Sequence, residues 1–301
     1  MGAPGLGTAE VDRRRNQTVE LLRIAACSVI VAYHAGAMSW RWGHGAVMVF
    51  VMLLAYFEAA SPRPFGLRTA AAKLLAPWAG AMIVYGGMNL LRHKPLLADA
   101  GLIPGVLYGP SPHLWFLPFA FVVVAVIGVM KRWPRAMFAL SAALSIAMLW
   151  CVRRFIHDPM PQFLLQWLLS AAPAFVGIAL ARTPVRGRWT LPLAATVAAG
   201  LYLSAPGIGI LYCVTFCLVL AALRFPGPVN ARWLSRHVYG IYLVHPAVLA
   251  LGHALGLKGW ADALSAFAFS AALVAGAWAL AQRLHRPTAH TPAPASVNWQ
   301  A

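Results

Sequence analysis

The first apolar run of the chain contains three ionisable side chains, Glu20, Arg23 and His34. Glu20 and Arg23 lie three residues apart and can form an ion pair along one helical turn. Arg23 and His34 lie 11 residues apart, which on an α-helix is a rotation of about 20° past three full turns and a rise of about 16.5 Å. The two side chains therefore share one helix face. Because an imidazole can accept a proton from a hydroxyl group near neutral pH, this face could carry acid–base chemistry.

The composition places these residues in a membrane protein. Of 301 residues, 61% are hydrophobic and 10% are charged, which excludes an ordinary soluble domain and a disordered chain. A bundle of membrane-spanning helices remains, and an ionisable side chain within a span is costly unless it is paired or hydrated. A structural interpretation stays open for both residues. Arg23 could anchor the helix at the lipid headgroups, and His34 could form a packing hydrogen bond or lie in the outer headgroup region.

Apolar runs between polar or Pro/Gly breaks predict an all-α polytopic membrane bundle of about ten transmembrane helices. The pair from 189 to 223 is short in both halves and could be one longer element kinked at Pro206. Thr18 is the expected N-cap of the first helix. The predicted helices span residues 19–38, 44–60, 70–91, 113–130, 135–152, 162–181, 189–204, 207–223, 237–256 and 260–284.

The distribution of basic residues predicts the orientation of the bundle. Alternate loops, assigned to opposite sides of the membrane, carry 17 and 6 of the Lys and Arg residues, and the positive-inside rule then puts both termini in the cytoplasm. We expect a cytoplasmic tail over residues 1–18, a transmembrane domain over 19–285 and a disordered cytoplasmic tail over 286–301. At the cytoplasmic end of the second helix, Glu58 is expected to pair with Arg63, the alternative being a role at the donor site.

The net charge of +17 would suggest nucleic-acid binding in a soluble domain. Here the basic residues lie between apolar runs, where they face anionic lipid headgroups, so membrane lipid is an expected partner and nucleic acid is not. The four cysteines fall inside apolar runs without a CxxC pattern, and we expect neither a disulfide nor a bound metal. They are Cys27, Cys151, Cys213 and Cys217.

The segment around Arg23 and His34 resembles the first-helix signature of the acyltransferase 3 family. These integral-membrane enzymes move acyl groups, often acetyl, onto sugars of surface polysaccharides and other acceptors. The matching letters are ELLRIAA at 20–26 and VAYH at 31–34, with the family's ten residues between Arg and His. Three further segments follow in the family's order, and the resemblance covers roughly residues 13–256. They are KLLAP at 73–77, PHLWFL at 112–117 and SRHVYGIYLVHP at 235–246.

Two segments depart from the family pattern. The second helix of the family usually carries Phe-Phe-x-x-Ser-Gly, whereas FVMLLAY at 50–56 lacks both serine and glycine. The two arginines that usually precede the third helix are replaced by Arg68 and Lys73 at a looser spacing. The first-helix pair of Arg23 and His34 is unaffected by either change.

The resemblance implies an acyl-CoA-dependent O-acetyltransferase of the bacterial inner membrane. Its donor would be cytoplasmic acetyl-CoA, and its acceptor a hydroxyl of a cell-surface carbohydrate or glycolipid. Arg23, with Arg68 and Lys73, would hold the CoA phosphates at the inner face, so that the thioester lies near His34. His34 would then act as general base on the acceptor hydroxyl, directly or after a transient acyl transfer to the imidazole.

Further residues are expected to line the substrate site. Three of them have a second interpretation: His245 could bond a carbonyl freed by the proline that follows it, and Trp115 could belong to an interfacial aromatic belt. Tyr242 could be an ordinary packing aromatic. The set is Glu20, His113, Trp115, Tyr242 and His245.

Other functions remain open at this level. A transporter or exporter of a polysaccharide or small solute could use Arg23, His34 and His245 as a proton or substrate pathway. A catalytically silent scaffold is a third hypothesis, and haem ligation by His34 together with a histidine of another helix is a fourth.

Overall fold

In the computed structural model of the chain, the described residues are 16–97, 101–155, 160, 162–182, 207–225, 227 and 229–284. Within these residues the fold is all-helical, as predicted, and comprises eleven helices. In chain order they are α1 (Gln17–His34), α2 (Trp40–Ala60), α3 (Leu67–Leu91), α4 (Leu102–Tyr108), α5 (Phe116–Met130), α6 (Met137–Phe155), α7 (Gln162–Ala181), α8 (Ile208–Arg224), α9 (Arg232–Ser235), α10 (Val238–Ala254) and α11 (Gly259–Leu284).

Nine of the ten predicted helices have a counterpart among these elements, and the predicted helix at 189–204 lies outside the described residues. The short helices α4 and α9 were not predicted. Among the described residues, five helices are long and apolar enough to cross a membrane, namely α2, α3, α6, α7 from Phe163 onward, and α11. Helices α5, α8 and α10 are apolar but shorter. The total of ten passes and the cytoplasmic position of the termini stay predictions.

Helix α1 begins two residues earlier than predicted, and its N-cap is Asn16. The Oδ1 atom of Asn16 accepts hydrogen bonds from the backbone N–H groups of Thr18 at 3.0 Å and Val19 at 3.4 Å. An asparagine oxygen satisfies the free N–H groups of a first helical turn in this way. The prediction of Thr18 as the cap was therefore wrong, and the Thr18 hydroxyl instead donates to the carbonyl oxygen of Phe225.

Helix α1 also ends four residues earlier than predicted, at His34. Gly36 has a φ of 73°, and the N–H of Ala37 donates to the carbonyl oxygen of Ala32 at 2.9 Å. This arrangement is a Schellman ending, in which a glycine in the left-handed region closes the helix. His34 is thus the last helical residue.

Helix α2 begins at Trp40, four residues before the predicted start at 44. His44 therefore lies one turn inside the helix, where its side chain is buried. The shift matters because a histidine expected at a helix end becomes part of the bundle interior.

The two most buried of the candidate spanning helices are α2 and α7, which pack against each other. Helix α2 also contacts α1, α5 and α8, and α1 contacts α8, α9, α10 and α11. In contrast, α3, α6 and α11 leave most of their surface exposed, as expected for helices that face lipid. Helices α1 and α2 therefore form the centre of the bundle.

Glu58, near the end of α2, pairs with a residue other than the one predicted. Its Oε1 atom lies 3.1 Å from Nζ of Lys131, which follows α5. The same Nζ donates to the backbone carbonyl of Arg63 at 3.3 Å. The predicted Glu58–Arg63 ion pair is therefore replaced by one in which Lys131 joins the end of α5 to the loop between α2 and α3.

The close packing of α2 on α7 makes Gly177 sensitive to substitution. A methyl group at position 177 would meet the backbone carbonyl oxygen of Met52, and a backbone atom cannot turn away as a side chain can. We expect Gly177→Ala to lower the free energy of unfolding by about 1–3 kcal/mol, as overpacking does. The matched control is Gly276→Ala in α11, where a methyl group meets open space.

The measurement is thermal unfolding of both variants in the same detergent. Gly276→Ala should be neutral or up to about 1 kcal/mol stabilising, because alanine favours a helix over glycine. Equal melting temperatures for Gly177→Ala and the wild-type protein would show that α2 and α7 do not pack closely at Gly177.

Candidate active site

Two cavities follow the length of α1. The first, of about 590 Å³, is lined by Glu20 and Arg23 among others, and we call it the Arg23 cavity. The second, of about 450 Å³, is lined by Tyr33 and His34 among others, and we call it the His34 cavity. Three residues line both cavities, so the two adjoin along a shared wall: they are Ile30 of α1, Val47 of α2 and Tyr242 of α10.

The two cavities lie toward opposite ends of the bundle. The Arg23 cavity is lined by the first part of α1 and by α2 from Val47 onward. The His34 cavity is lined by the last part of α1 and by the start of α2, from Trp40 to Val47. Because α1 and α2 are consecutive helices joined by a short turn, these parts define an Arg23 end and a His34 end of the bundle.

At the Arg23 end, Glu20 and Arg23 form the ion pair expected for residues three apart, with Nη1 of Arg23 3.0 Å from Oε2 of Glu20. Glu20 is buried, at 5% exposure, and the hydroxyl of the buried Ser235 in α9 donates to the same carboxylate oxygen. The Arg23 side chain is 30% exposed. A guanidinium has five N–H donors, so the ion pair leaves Arg23 able to bind an anion at the cavity.

Arg68 and Lys73, the other predicted donor contacts, do not line the Arg23 cavity. Both side chains are exposed on the first turns of α3, whereas Leu74 of the same helix reaches the cavity wall. The backbone carbonyl of Lys73 accepts a hydrogen bond from the hydroxyl of Tyr239 at 3.3 Å. The structure therefore brings Arg68 and Lys73 to the Arg23 end of the bundle without placing them beside Arg23.

At the His34 end, three histidines from separate parts of the chain form a cluster. The ring centroid of His34 lies 5.2 Å from that of His245 and 6.5 Å from that of His113. The rings of His113 and His245 are 5.5 Å apart. His245 is completely buried and His113 is 3% exposed, while His34 is half-buried and lines the cavity. A molecule in this cavity would therefore meet His34 in front of His245.

The backbone of α10 fixes the orientation of His245. Pro246 has no N–H to donate to the carbonyl of Tyr242 four residues earlier, and Nδ1 of His245 lies 2.8 Å from that oxygen. Because a carbonyl oxygen only accepts hydrogen bonds, Nδ1 carries the proton and Nε2 carries the lone pair. Within the described residues this Nε2 has no hydrogen-bond partner. His245 thus bonds the carbonyl that Pro246 leaves free, and it lines neither cavity.

Three other predicted lining residues, His113, Trp115 and Tyr242, line the His34 cavity, whereas Glu20 lines the Arg23 cavity. Nδ1 of His113 lies 2.9 Å from the hydroxyl of Ser111, and the backbone carbonyl of His113 accepts a hydrogen bond from the hydroxyl of Tyr242. Trp115 lines the same cavity but is 5% exposed and packs on Phe119. Trp115 is therefore a buried wall residue, and the belt interpretation does not describe it.

Sequence reasoning missed three polar side chains at this end. His44 and Gln166 line the His34 cavity, and the side chain of Gln166 hydrogen-bonds to His44. Tyr85 of α3 places its ring 5.2 Å from that of His113 and donates to the carbonyl of Leu243 at 2.6 Å. The available signal was the same as for His34: a polar residue inside an apolar run.

In the part of the chain that the structure describes, no three His, Cys, Asp or Glu side chains are placed so that they could bind one metal ion. The three histidines can serve as acid–base and hydrogen-bonding groups.

Comparison with known protein families gives a match that covers most of the chain. The sequence model of a family described as an acyltransferase domain matches residues 16–282, which includes α1 and every residue of both cavities. No curated protein and no solved structure matches the chain.

Proposed function

The chain belongs to the acyltransferase 3 family, and from that premise we propose that it is a membrane-bound O-acetyltransferase. It would move an acetyl group from acetyl-CoA to a hydroxyl of a cell-surface carbohydrate or glycolipid. The observation that carries this proposal is the shared wall of the two cavities at Ile30, Val47 and Tyr242. A donor from the Arg23 end and an acceptor from the His34 end would meet there, and His34 lies one helical turn beyond Ile30 on the same face.

The lining of the Arg23 cavity supports a donor with a long apolar arm. Phe50, Leu53 and Phe57 make most of one wall apolar, which suits a pantetheine chain better than a nucleotide. The phosphates would lie at the mouth of the cavity against Arg23, with Arg68 and Lys73 as the proposed additional contacts. The rise of about 16.5 Å from Arg23 to His34 is of the same order as the length of a pantetheine arm.

The proposed step is a direct transfer assisted by His34. The hydroxyl oxygen of the acceptor attacks the thioester carbonyl carbon, and its proton passes to a ring nitrogen of His34. The C–S bond breaks, and the leaving CoA thiolate takes that proton, so the products are an acetyl ester and the CoA thiol. A two-step route, in which the acetyl group is first transferred to the imidazole of His34 and then to the acceptor, would give the same products.

The aromatic lining of the His34 cavity supports a carbohydrate acceptor. Tyr33, Trp40, Tyr108 and Trp115 contribute rings to its wall. Such rings offer flat apolar faces while their polar edges remain available for hydrogen bonds, which matches the alternation of C–H faces and hydroxyl edges on a sugar. Polar groups placed within an apolar lining are typical of small-molecule sites.

The test is to incubate the full-length protein in proteoliposomes with radiolabelled acetyl-CoA and a membrane glycan extract. Transfer of label to the glycan is the expected result. Uptake of glycan or solute without label would instead support a transporter, and the absence of both activities would support a silent scaffold. Proteoliposomes with the His34→Ala variant give the background.

A further inference from the structure

His44 and Gln166 form a polar pair in the His34 cavity to which the proposed transfer step gives no role. His44 is 7% exposed, and its Nε2 atom has no hydrogen-bond partner among the described residues. Gln166 is a hydrogen-bonding neighbour of the His44 ring. Both side chains line the cavity. The pair therefore brings an imidazole and an amide group to the cavity wall.

A buried ring nitrogen without a partner needs a physical explanation. Leaving a buried polar group unsatisfied is unfavourable, and most such groups in folded proteins have a protein or water partner. His44 lies on α2 next to Trp40, whose ring centroid is 6.5 Å away, and an apolar side chain would pack there without an unsatisfied atom. A bound polar molecule in the cavity would satisfy Nε2.

The pair comes from other elements than the histidine cluster. His44 belongs to α2 and Gln166 to α7, whereas His34, His113 and His245 belong to α1, to the turn before α5 and to α10. His44 and Gln166 therefore come from helices that do not carry the group that would take the proton from the acceptor. One molecule in the cavity can contact both groups only if it carries at least two polar positions.

We propose that His44 and Gln166 bind a second hydroxyl of the acceptor, one that is recognised and not acetylated. This inference rests on the proposed function and narrows the acceptor class to polyhydroxylated molecules such as pyranosides, since a simple alcohol has only the reacting hydroxyl. Holding the second hydroxyl on His44 and Gln166 fixes which hydroxyl faces His34. The pair would thus determine the position of the acetyl group on the sugar.

The expected size of the effect follows from the number of hydrogen bonds involved. Loss of one neutral hydrogen bond to the acceptor weakens binding by about tenfold. Sites built to hydrogen-bond a substrate hydroxyl discriminate more strongly than apolar sites do, because their own polar groups are left unpaired by the wrong substrate. Removing the Gln166 amide should therefore affect both the acceptor KM and the choice of hydroxyl.

The test uses the full-length protein in proteoliposomes with acetyl-CoA and the membrane glycan extract, followed by NMR mapping of the acetylated positions. We expect the wild-type protein to acetylate one hydroxyl of each acceptor residue. Gln166→Leu, which keeps the side-chain volume, should raise the acceptor KM by about tenfold and spread the acetyl group over several hydroxyls. His44→Gln keeps a hydrogen-bonding group and should restore part of the selectivity relative to His44→Leu.

The matched control is Ser170→Ala, a buried polar position one turn farther along α7 and outside the residues that line the cavity. It should acetylate the same single position as the wild-type protein. A single unchanged position and an unchanged acceptor KM in Gln166→Leu would overturn the inference, as would several acetylated positions with the wild-type protein. No acetyl on the glycan with the wild-type protein would contradict the proposed function itself.

Discussion

Replacing His34 by alanine is expected to lower the rate of acetyl transfer by about 10²–10⁴-fold, the range of a lost general base. The reason is geometric: His34 is the last residue of α1, lines the cavity next to the shared wall, and is half-buried in front of the completely buried His245. The Nδ1 atom of His245 donates to the Tyr242 carbonyl, and His245 lies behind His34. His245 therefore cannot replace His34 as the general base. The measurement is single-turnover transfer from radiolabelled acetyl-CoA by purified protein.

A matched control for His34→Ala is His93→Asn. His93 is an exposed histidine in the turn after α3, with a φ of 55°, a conformation that asparagine tolerates well. The control should transfer acetyl at the wild-type rate. Full activity of correctly folded His34→Ala protein would show that the imidazole of His34 takes no part in the reaction.

Arg23→Lys is expected to raise the KM for acetyl-CoA by about tenfold or more, with kcat changed by less than about twofold. Lysine retains the positive charge beside the buried Glu20, so the ion pair and the fold should survive, but it loses the planar fork that binds two phosphate oxygens at once. Charge-assisted hydrogen bonds contribute about 1.5–3 kcal/mol, and each tenfold change in affinity corresponds to about 1.4 kcal/mol.

The control for Arg23→Lys is Arg41→Lys, an exposed arginine in the first turn of α2 at the His34 end. Its donor KM should equal the wild-type value, because the proposed donor approaches from the other end of the bundle. An unchanged donor KM in Arg23→Lys would mean that Arg23 does not hold the phosphates and serves only as the partner of Glu20.

The helical fold was largely predictable because each apolar run is long and its breaks are polar or contain proline and glycine. The errors fall where a single residue decides the boundary. Gly36 ends α1 through its left-handed conformation, although the run of small apolar residues around it suggested continuation to 38. Helix α2 begins at Trp40 and not at 44, so it includes the aromatic Trp40 and the charged Arg41 in its first turn.

The pair of Arg23 and His34 was predictable because both lie on one helix, where spacing along the chain fixes the angle between side chains. The positions of Arg68 and Lys73 were not, because their direction depends on how α3 rotates about its own axis. That rotation is set by packing on α5 and by the contacts of Tyr85 and Tyr239 with their acceptor carbonyls. The spacing of residues along the chain therefore does not predict how far Arg68 and Lys73 lie from Arg23.

The histidine cluster shows the same limit between helices. His34, His113 and His245 were each singled out by their position in or beside an apolar run, but their approach to within 5.2–6.5 Å depends on the packing of α1 against α10 and of the turn before α5. His44 was missed because its helix was assigned too late a start. A polar residue near an uncertain helix boundary therefore needs to be considered both as a loop residue and as a residue inside the helix.

The central claim is that donor and acceptor approach from opposite ends of the bundle and meet at the wall shared by the two cavities. It is tested most directly in proteoliposomes selected for one orientation by an accessible N-terminal tag, which marks the Arg23 end. Labelled acetyl-CoA is supplied outside and the glycan extract is trapped inside. The account predicts labelled glycan in the lumen of intact vesicles. Label that appears only when donor and glycan share one compartment would contradict it.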